Sequence, residues 1–279
     1  MKKVIVILLT AALLLSCIGC KKAGNKKLTV AMSPDFAPME FVDTSKSGQE
    51  QYVGFDVTLA NFLAKELGME LEIKPMSFDA CMTAVQLGSV DMAISGFSWK
   101  PDRAENFLLS DYYIAGDNET QQSIITVKAK ENTCKTQADF SGWKVGAQAS
   151  SLQEQLVKDE LIPAGAELVV YKSIDDAVLA LQTGKIDALA VAHGNGEAII
   201  ANNPDLAFTG FDFDVDPKYE NNVILLNKSN TEMLEKVNQV LAKAMAAGVY
   251  DGWYEDAKAL AGIPTAADVS YDDDGKPVS

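Results

Sequence analysis

Short apolar runs alternate with amphipathic stretches along most of the chain. The apolar run at 28–32 predicts a strand, and apolar side chains recur every three or four positions from Phe55 to Leu67, which is typical of a helix. Residues 69–75 and 90–95 predict two further strands, with a helical pattern at 79–87 between them. Strands that alternate with helices in this way predict an α/β fold built on parallel sheet.

The same pattern occurs a second time further along the chain. TAVQLGSVDMAIS (83–95) aligns without gaps on LALQTGKIDALAV (179–191), and LTVAMSPDF (28–36) resembles WKVGAQASS (143–151). Chance similarity between two βα units is the alternative, but two repeats in the same order weaken it. The repeat therefore predicts two lobes, with a ligand site in the crevice beyond the carboxyl ends of their strands.

Composition and charge exclude several classes of function. The chain has 279 residues, and its proportions of 48% hydrophobic and 23% charged residues are typical of a globular protein. Its net charge of −15 would repel nucleic acids. Its close lysine pairs all precede residue 28, so we expect no nucleic-acid partner. A single histidine, His193, and the absence of a CxxC motif beyond residue 20 argue against a metal site or a Ser-His-Asp triad, and we expect no cofactor.

The amino terminus predicts export and a lipid anchor. Residues 1–19 begin with lysines and contain an apolar run, Val4–Leu15, too short to span a bilayer, which indicates a signal peptide. Two cysteines near its end resemble the lipobox cysteine of bacterial lipoproteins. We favour Cys20 as the lipidated residue, with Cys17 as the alternative and an ordinary cleaved signal as the third possibility. Residues 20–27 would then link a membrane anchor to an extracytoplasmic protein.

Two more cysteines, Cys81 and Cys134, lie in the remainder of the chain. A disulfide between them is compatible with export. Free, buried thiols are the interpretation we favour.

Several segments, taken in order, carry a resemblance to one protein family. They are SPDFAPMEF (33–41), YVGFDVTLANFLAKELG (52–68), SFDACMTAVQLGSVDMAISGFSWKPDR (77–103), LSDYYIAG (109–116), VGAQASSLQE (145–154) and VYDGWYEDA (249–257). Over roughly 28–262 the chain resembles the polar amino-acid family of extracellular solute-binding proteins of ABC importers, family 3. The resemblance implies a two-lobe periplasmic-binding-protein-like fold of type II, with two α/β lobes joined by two crossing segments.

The resemblance also implies a domain organisation and partners. We assign lobe 1 to 28–127 plus 222–265, lobe 2 to 128–221, and a flexible tail to 266–279. The expected protein is a monomer without enzymatic activity or catalytic residues. It would bind an amino acid or similar small solute and deliver it to an ABC permease with its ATPase. A solute sensor for a membrane receptor is the alternative, followed by a dehydratase-like enzyme on the same fold.

The first lobe supplies most of the predicted ligand-binding residues. A planar cation with two donors suits a ligand carboxylate, so we predict that Arg103 binds it, with Ser98 beside it. The alternative is that Arg103 is a surface residue of a helix. Ser95 and Gly96 belong to the same loop. By the resemblance, Phe36 stacks on the ligand and Phe78 forms a second apolar wall, although each is also a plausible core residue. In the second lobe, the predicted ligand-binding residues are Gln148, Ser151 and Leu152.

One departure from the family concerns the ligand ammonium. The family usually places an aspartate at the position of Ala192, and the acid often found near the end of the first strand is replaced by Ser33. Either another acid substitutes, with Asp35 and Glu119 as candidates, or the ligand lacks an α-ammonium. Each candidate is equally compatible with a solvated loop acid, and we expect His193 to be a surface or hinge residue.

Overall fold

The structure is a computed structural model that describes residues 26–113, 121–219 and 221–265, together with two short strands near the carboxyl terminus. The predicted signal peptide, the lipidation candidates Cys17 and Cys20, and the ammonium candidate Glu119 lie outside the described residues.

The chain alternates strands and helices, as the sequence predicts. The strands are β1 (Lys27–Met32), β2 (Asp35–Phe36), β3 (Glu40–Val42), β4 (Tyr52–Val53), β5 (Glu70–Pro75), β6 (Met92–Ala93), β7 (Leu108–Leu109), β8 (Gln122–Val127), β9 (Lys144–Gln148), β10 (Glu167–Tyr171), β11 (Ala188–Ala192), β12 (Leu206–Asp212), β13 (Leu225–Leu226), β14 (Ser270–Tyr271) and β15 (Pro277–Val278). The α-helices are α1 (Phe55–Glu66), α2 (Phe78–Gln86), α3 (Pro101–Asn106), α4 (Leu152–Leu156), α5 (Ile174–Gln182), α6 (His193–Asn202), α7 (Thr231–Ala246) and α8 (Tyr250–Ala261). One turn of π-helix, Val157–Leu161, continues α4.

Two five-stranded sheets of the same design form the two lobes. The first has the order β5-β1-β6-β13-β7, and the second has the order β10-β9-β11-β8-β12. In both, the first three strands are parallel and the fourth is antiparallel to its neighbours. The prediction of two similar α/β lobes is confirmed.

The aspartate of each repeat has the same structural task. Asp91 precedes β6 and accepts hydrogen bonds from the Thr29 backbone N–H at 2.8 Å and from its hydroxyl at 2.7 Å. Asp187 precedes β11 and accepts one from the Lys144 backbone N–H at 3.0 Å. Each carboxylate therefore pairs a backbone donor at the start of the neighbouring strand, which explains why the motif occurs once in each lobe.

The chain crosses between the lobes earlier than predicted. β8 pairs with β11 and β12, so residues 122–127 belong to the second sheet, whereas we had assigned them to lobe 1. The physical reason is that the apolar run of β8 is buried on both faces between two strands of that sheet. After β12 the chain returns, and Asn222 bridges to Ser98 and Tyr113 of the first lobe.

Each sheet is covered by apolar side chains on both faces. In β1, Leu28, Val30 and Met32 join one core cluster while Ala31 joins the cluster on the opposite face. In β11, the clusters alternate in the same way along Ala188–Ala192. Because both faces are filled, the strand ends are the surfaces left for a ligand.

Cys81 and Cys134 lie in the cores of different lobes, where both are buried and free. The prediction of free, buried thiols is confirmed.

Two further observations concern the predicted anchor and tail. Within the described part of the chain, no helix is both long and apolar enough to cross a membrane. In the segment predicted as a flexible tail, β14 pairs antiparallel with β15.

Candidate functional site

The ligand-binding residues predicted from the sequence line a single cleft between the lobes. The space left inside this cleft is a cavity of about 30 Å³. Its described lining consists of Ser33, Phe36, Phe78, Ser95, Gly96, Ser98 and Arg103 from the first lobe, and Gln148, Ser151, Leu152, Gln153, Ile174, Ala190, Val191, Ala192 and Asn195 from the second. The residues come together because they follow the carboxyl ends of β1, β6, β9 and β11 or begin the helices beyond them.

Arg103, the only arginine of the chain, lies in this cleft. It is 1% exposed, so the alternative of a surface arginine is wrong. Its Nη1 donates to the Ser98 carbonyl at 2.5 Å, and its Nη2 donates across the cleft to the Ser150 carbonyl at 3.0 Å. Its Nε–H has no hydrogen-bond acceptor among the described residues. The guanidinium thus joins the lobes and retains a buried donor for a further partner.

Two aromatic rings hold the Arg103 guanidinium. Its central carbon lies 5.5 Å from the ring centroid of Phe78 and 5.2 Å from that of Phe97, and the two rings stack on each other. Cation–π contact stabilises a guanidinium that is buried away from water. Burial lowers the pKa of Arg103 to about 10, so the group remains charged at neutral pH. Phe97, which the sequence analysis did not single out, is a functional neighbour of the arginine.

Phe36 and Gly96 meet across the floor of the cleft. A Cβ built on Gly96 would lie 2.5 Å from Cε1 of Phe36, and the φ angle of Gly96 is +56°. Both the space and the backbone conformation therefore require glycine at this position. Phe36 is half-buried and Phe78 is buried, so the two rings serve the core and line the cleft at once.

Two buried carboxyl groups lie directly behind the loop that carries Ser95 and Gly96. The Ser95 hydroxyl donates to Glu40 and accepts from the Ser33 backbone N–H at 3.0 Å. The Gly96 backbone N–H donates to Asp56 Oδ2 at 2.7 Å. These bonds fix the loop that forms one wall of the cleft.

The sequence analysis missed this carboxyl pair as part of the site. Burial, followed by the charge of Asp56, raises the pKa of Glu40 well above its usual value. Burial raises the pKa of Asp56 to about 7, even though the hydroxyl of Tyr113 donates to it at 3.0 Å. The available signal was an acid among apolar neighbours, Glu40 in APMEF (37–41) and Asp56 in YVGFDV (52–57).

In the second lobe, the residues after β9 begin a helix. Ser151 caps α4, since its hydroxyl accepts from the Glu154 backbone N–H at 3.0 Å and donates to the Gln148 carbonyl at 2.7 Å. Ser151 and Leu152 line the cleft as predicted, but the Ser151 hydroxyl proton is already donated. Ser150, directly before it, adopts a φ of +65°, a backbone conformation that favours glycine.

Asp35 connects the two lobes and does not line the cleft. Its carboxylate accepts from the Ile174 backbone N–H at 2.8 Å and faces Gln148 Nε2 at 3.4 Å, both in the second lobe. The Ser33 hydroxyl also donates to it at 2.8 Å. Burial raises the pKa of Asp35. The ammonium-binding role of Asp35 stays a prediction.

The site of the missing aspartate is apolar, as the sequence indicates. Ala192 lines the cleft and is 2% exposed. His193 points elsewhere: its ring stacks on Phe208 at 4.4 Å, and its Nδ1 lies 2.8 Å from the Ser123 hydroxyl.

Asn195, in the first turn of α6, is a cleft residue that the sequence analysis did not identify. It is 1% exposed, and its Nδ2 donates across the lobes to the Ala37 carbonyl at 2.9 Å. A polar residue just after the strand that ends at Ala192 was the available signal.

Taken together, these contacts describe lobes that are closed on one another. Besides the bonds of Arg103, Asp35 and Asn195, the Asn202 side chain donates to the Ala261 carbonyl at 3.1 Å. The arrangement offers an anionic group a buried cation, Arg103, in a cleft lined by both lobes. In the described chain, no group of three or more candidate side chains could hold a metal ion.

Comparison with known proteins agrees with this geometry. The arginine-binding extracellular protein ArtP of Bacillus subtilis (strain 168) is 28% identical over 247 residues, which cover 86% of this chain and 92% of that protein. A probable histidine-binding protein of Campylobacter jejuni is 27% identical over 259 residues, covering 87% and 92%.

Solved structures show the same fold. An amino acid ABC transporter substrate-binding protein, AbpA from Streptococcus pneumoniae bound to L-arginine, superposes with a TM-score of 0.76 at 33% identity, covering 85% of this chain and 97% of that one. The type II fold is therefore confirmed. The sequence profile of the bacterial extracellular solute-binding proteins, family 3, matches residues 28–256, and the chain belongs to that family.

Proposed function

We propose that this protein is the membrane-tethered, solute-binding component of an ABC importer, and that Arg103 binds the carboxylate of an amino-acid-like solute in the cleft. The observation that carries the proposal is a fully buried guanidinium, bonded to both lobes, whose Nε–H has no acceptor among the described residues. A relative named as arginine-binding and a similar structure bound to L-arginine support the solute class.

The chemistry of the guanidinium favours a carboxylate. Nε–H and an Nη–H lie on one edge of the fork and can bind both carboxylate oxygens at once, which lysine cannot do. The Nη2 of Arg103 now donates to a neutral carbonyl, that of Ser150. A bound anion would replace or share that bond with a stronger, charge-assisted one.

Closure of the lobes couples binding to transport. Both lobes line the cleft, so a ligand that contacts Arg103 in the first lobe and residues of the second favours the closed arrangement. An ABC permease, powered by its ATPase, would then recognise the closed form and accept the solute.

Lipidation at Cys20 would hold the protein at the outer face of the cell membrane, with Cys17 as the alternative. Metabolic labelling with a fatty-acid analogue tests this part of the proposal. Cys20→Ser should abolish labelling while Cys17→Ser retains it, and the reverse pattern would assign the anchor to Cys17.

Titration calorimetry of the Arg103 variants tests the ligand assignment. The first step is to find a ligand of the unaltered protein among amino acids and related carboxylic acids. Arg103→Ala should cost about 2–5 kcal/mol of binding energy, and Arg103→Lys should also weaken binding because it loses the two-donor edge.

Lys65→Met, which removes an exposed cation from the same lobe, is the charge-matched control. It should bind like the unaltered protein. Equal affinities for Arg103→Ala and Lys65→Met would refute the role of Arg103.

A further inference from the structure

Glu40 and Asp56 form a buried carboxyl pair behind the cleft wall. Glu40 lies in β3 and Asp56 in α1, and neither side chain is exposed to solvent. A hydrogen bond joins the two carboxyl groups to each other. Because two ionised carboxylates offer only acceptors, this bond requires a proton on one of them.

Each carboxyl group also accepts from a residue that lines the cleft. The Ser95 hydroxyl donates to Glu40 Oε1, and the Gly96 backbone N–H donates to Asp56 Oδ2 at 2.7 Å. The hydroxyl of Tyr113 donates to the same oxygen of Asp56 at 3.0 Å. These bonds connect the pair to the wall that a solute in the cleft would contact.

The network of bonds around the pair has a place for one proton. The two remaining oxygens, Glu40 Oε2 and Asp56 Oδ1, are buried and have no other donor among the described residues. One proton between them gives every bond of the network a donor and an acceptor. A second proton would either face the first or lie on Oε1 or Oδ2, where it would compete with the bond from Ser95 or Gly96.

The surroundings of the pair place the uptake of the second proton near neutral pH. Burial, followed by the charge of Asp56, raises the pKa of Glu40 well above its usual value, so that one proton stays bound. Burial raises the pKa of Asp56 to about 7, despite the bonds from Gly96 and Tyr113. The pair therefore holds two protons below about pH 7 and one proton above it.

Other titratable groups in the described part of the chain also act on the pair. Asp35 in β2 carries a charge that raises the pKa of Glu40 further. Burial raises the pKa values of the Tyr113 hydroxyl and of the Cys81 thiol in α2, so both groups are neutral at neutral pH. Tyr113 therefore remains a donor to Asp56 over the range in which the pair titrates.

We propose that this pair couples solute binding to the release of a proton: the form with one proton holds the Ser95–Gly96 wall for the solute, and the form with two protons binds the solute less tightly. The inference rests on the proposed function and adds a regulation of that site by pH. Glu40 and Asp56 are positioning residues, because they act through Ser95 and Gly96 and lie outside the described lining of the cleft.

The sign of the effect follows from linkage. A solute that prefers the one-proton form shifts the pair towards that form, so binding releases protons near pH 7. By the same coupling, the affinity rises as the pH rises from 6 to 8. With a pKa of about 7, binding to the one-proton form alone would give an increase of about tenfold over this range, which is the upper limit of the effect.

Calorimetry with the chain from Lys21 onward tests the coupling. The twenty standard L-amino acids are titrated at pH 8, and the tightest binder is then titrated at pH 6, 7 and 8 in buffers that differ in ionisation enthalpy. We expect the affinity to rise about three- to tenfold from pH 6 to pH 8, and a fraction of a proton to be released per solute at pH 7.

Asp56→Asn and Glu40→Gln each replace the shared proton with an amide N–H. In either variant the amide oxygen accepts the existing bonds and the nitrogen donates to the remaining carboxylate. Both variants should therefore show a flatter pH profile and release fewer protons on binding. Glu105→Gln, which alters an exposed acid of the same lobe, is the control and should keep the profile of the unaltered protein. Titration of the solute itself occurs with every protein and cancels from the comparison.

The double variant tests the shared proton in a different way. With both substitutions, two amide N–H groups face each other, as the two protons do at low pH. The double variant should bind more weakly at every pH than the two single changes together predict, whereas additive effects would contradict the shared proton. If the double variant does not fold, the pH profiles of the single variants decide.

The failure of this inference differs from the failure of the proposed function. If Asp56 only supports the fold, Asp56→Asn should change the affinity by the same factor at every pH, and an unchanged pH profile would overturn the inference. A pH-independent affinity of the unaltered protein would also overturn it, while weaker binding by Arg103→Ala would still support the proposed function. The absence of binding by all twenty amino acids, or binding that Arg103→Ala leaves unchanged, would overturn both.

Discussion

Replacing Asp56 with asparagine should make the stability of the protein less dependent on pH. Asp56 Oδ2 accepts from the Gly96 N–H at 2.7 Å and from the Tyr113 hydroxyl at 3.0 Å, and an amide oxygen can accept both bonds. The substitution therefore preserves the shape and these contacts while it removes one titrating group from the buried pair with Glu40.

The magnitude follows from the difference between the folded and unfolded pKa values. An aspartate in an unfolded chain ionises near pH 3.8, whereas burial raises the pKa of Asp56 to about 7 in the folded protein. Between these values the folded state keeps a proton that the unfolded state releases, so the stability present at low pH is lost as the pH rises. A proton that the folded state keeps over most of the range from about pH 5 to 7 corresponds to about 2–3 kcal/mol.

Urea unfolding, followed by tryptophan fluorescence at about pH 5, 6 and 7, measures this difference. Relative to the unaltered protein, Asp56→Asn should gain roughly 2–3 kcal/mol on going from pH 5 to 7, or about 5–10 °C in Tm. Glu105→Gln, an exposed acid of the same lobe, is the control and should leave the pH dependence unchanged. The same pH dependence in Asp56→Asn and in the unaltered protein would refute the reasoning.

Two other predictions concern the cleft wall and the repeat. Gly96→Ala should weaken ligand binding about tenfold or more, because the new Cβ would lie 2.5 Å from the Phe36 ring and the backbone φ of +56° disfavours alanine. Calorimetry that finds unchanged affinity would contradict the close packing. Asp91→Ala and Asp187→Ala should each lower the free energy of unfolding by about 1–2 kcal/mol, since each leaves a strand N–H unpaired. Urea unfolding measures both losses, and a loss in one variant without the other would show that the two repeats are not structurally equivalent.

The fold was predictable because its signals are local. The repeated Gln-x-Gly-x-x-Asp pattern places a helix, a turn and a buried strand in each lobe, and the structure has α2 with β6 and α5 with β11 at those positions. Part of the cleft was predictable for the same reason, since Ser95 follows β6 and Gln148 ends β9, and the carboxyl ends of these strands meet at one edge. Arg103, in α3, was predicted from its chemistry and from the family resemblance.

The errors and omissions arise where the outcome depends on tertiary packing. The apolar run of β8 would be buried equally well in either sheet, so its lobe could not be inferred from the sequence. Glu40 and Asp56 lie on separate elements, β3 and α1, and their common burial behind Ser95 is not a local pattern. Asp35 is adjacent to Phe36 in β2, and the side chains of neighbouring strand residues point to opposite faces, which separates it from the cleft.

A crystal structure of the protein with its tightest-binding solute tests the central claim most directly. The account predicts lobes closed around the solute, with its carboxylate oxygens about 2.7–3.2 Å from Nε and an Nη atom of Arg103. A solute bound in the cleft with its carboxylate away from Arg103, or bound outside the cleft, would contradict the account.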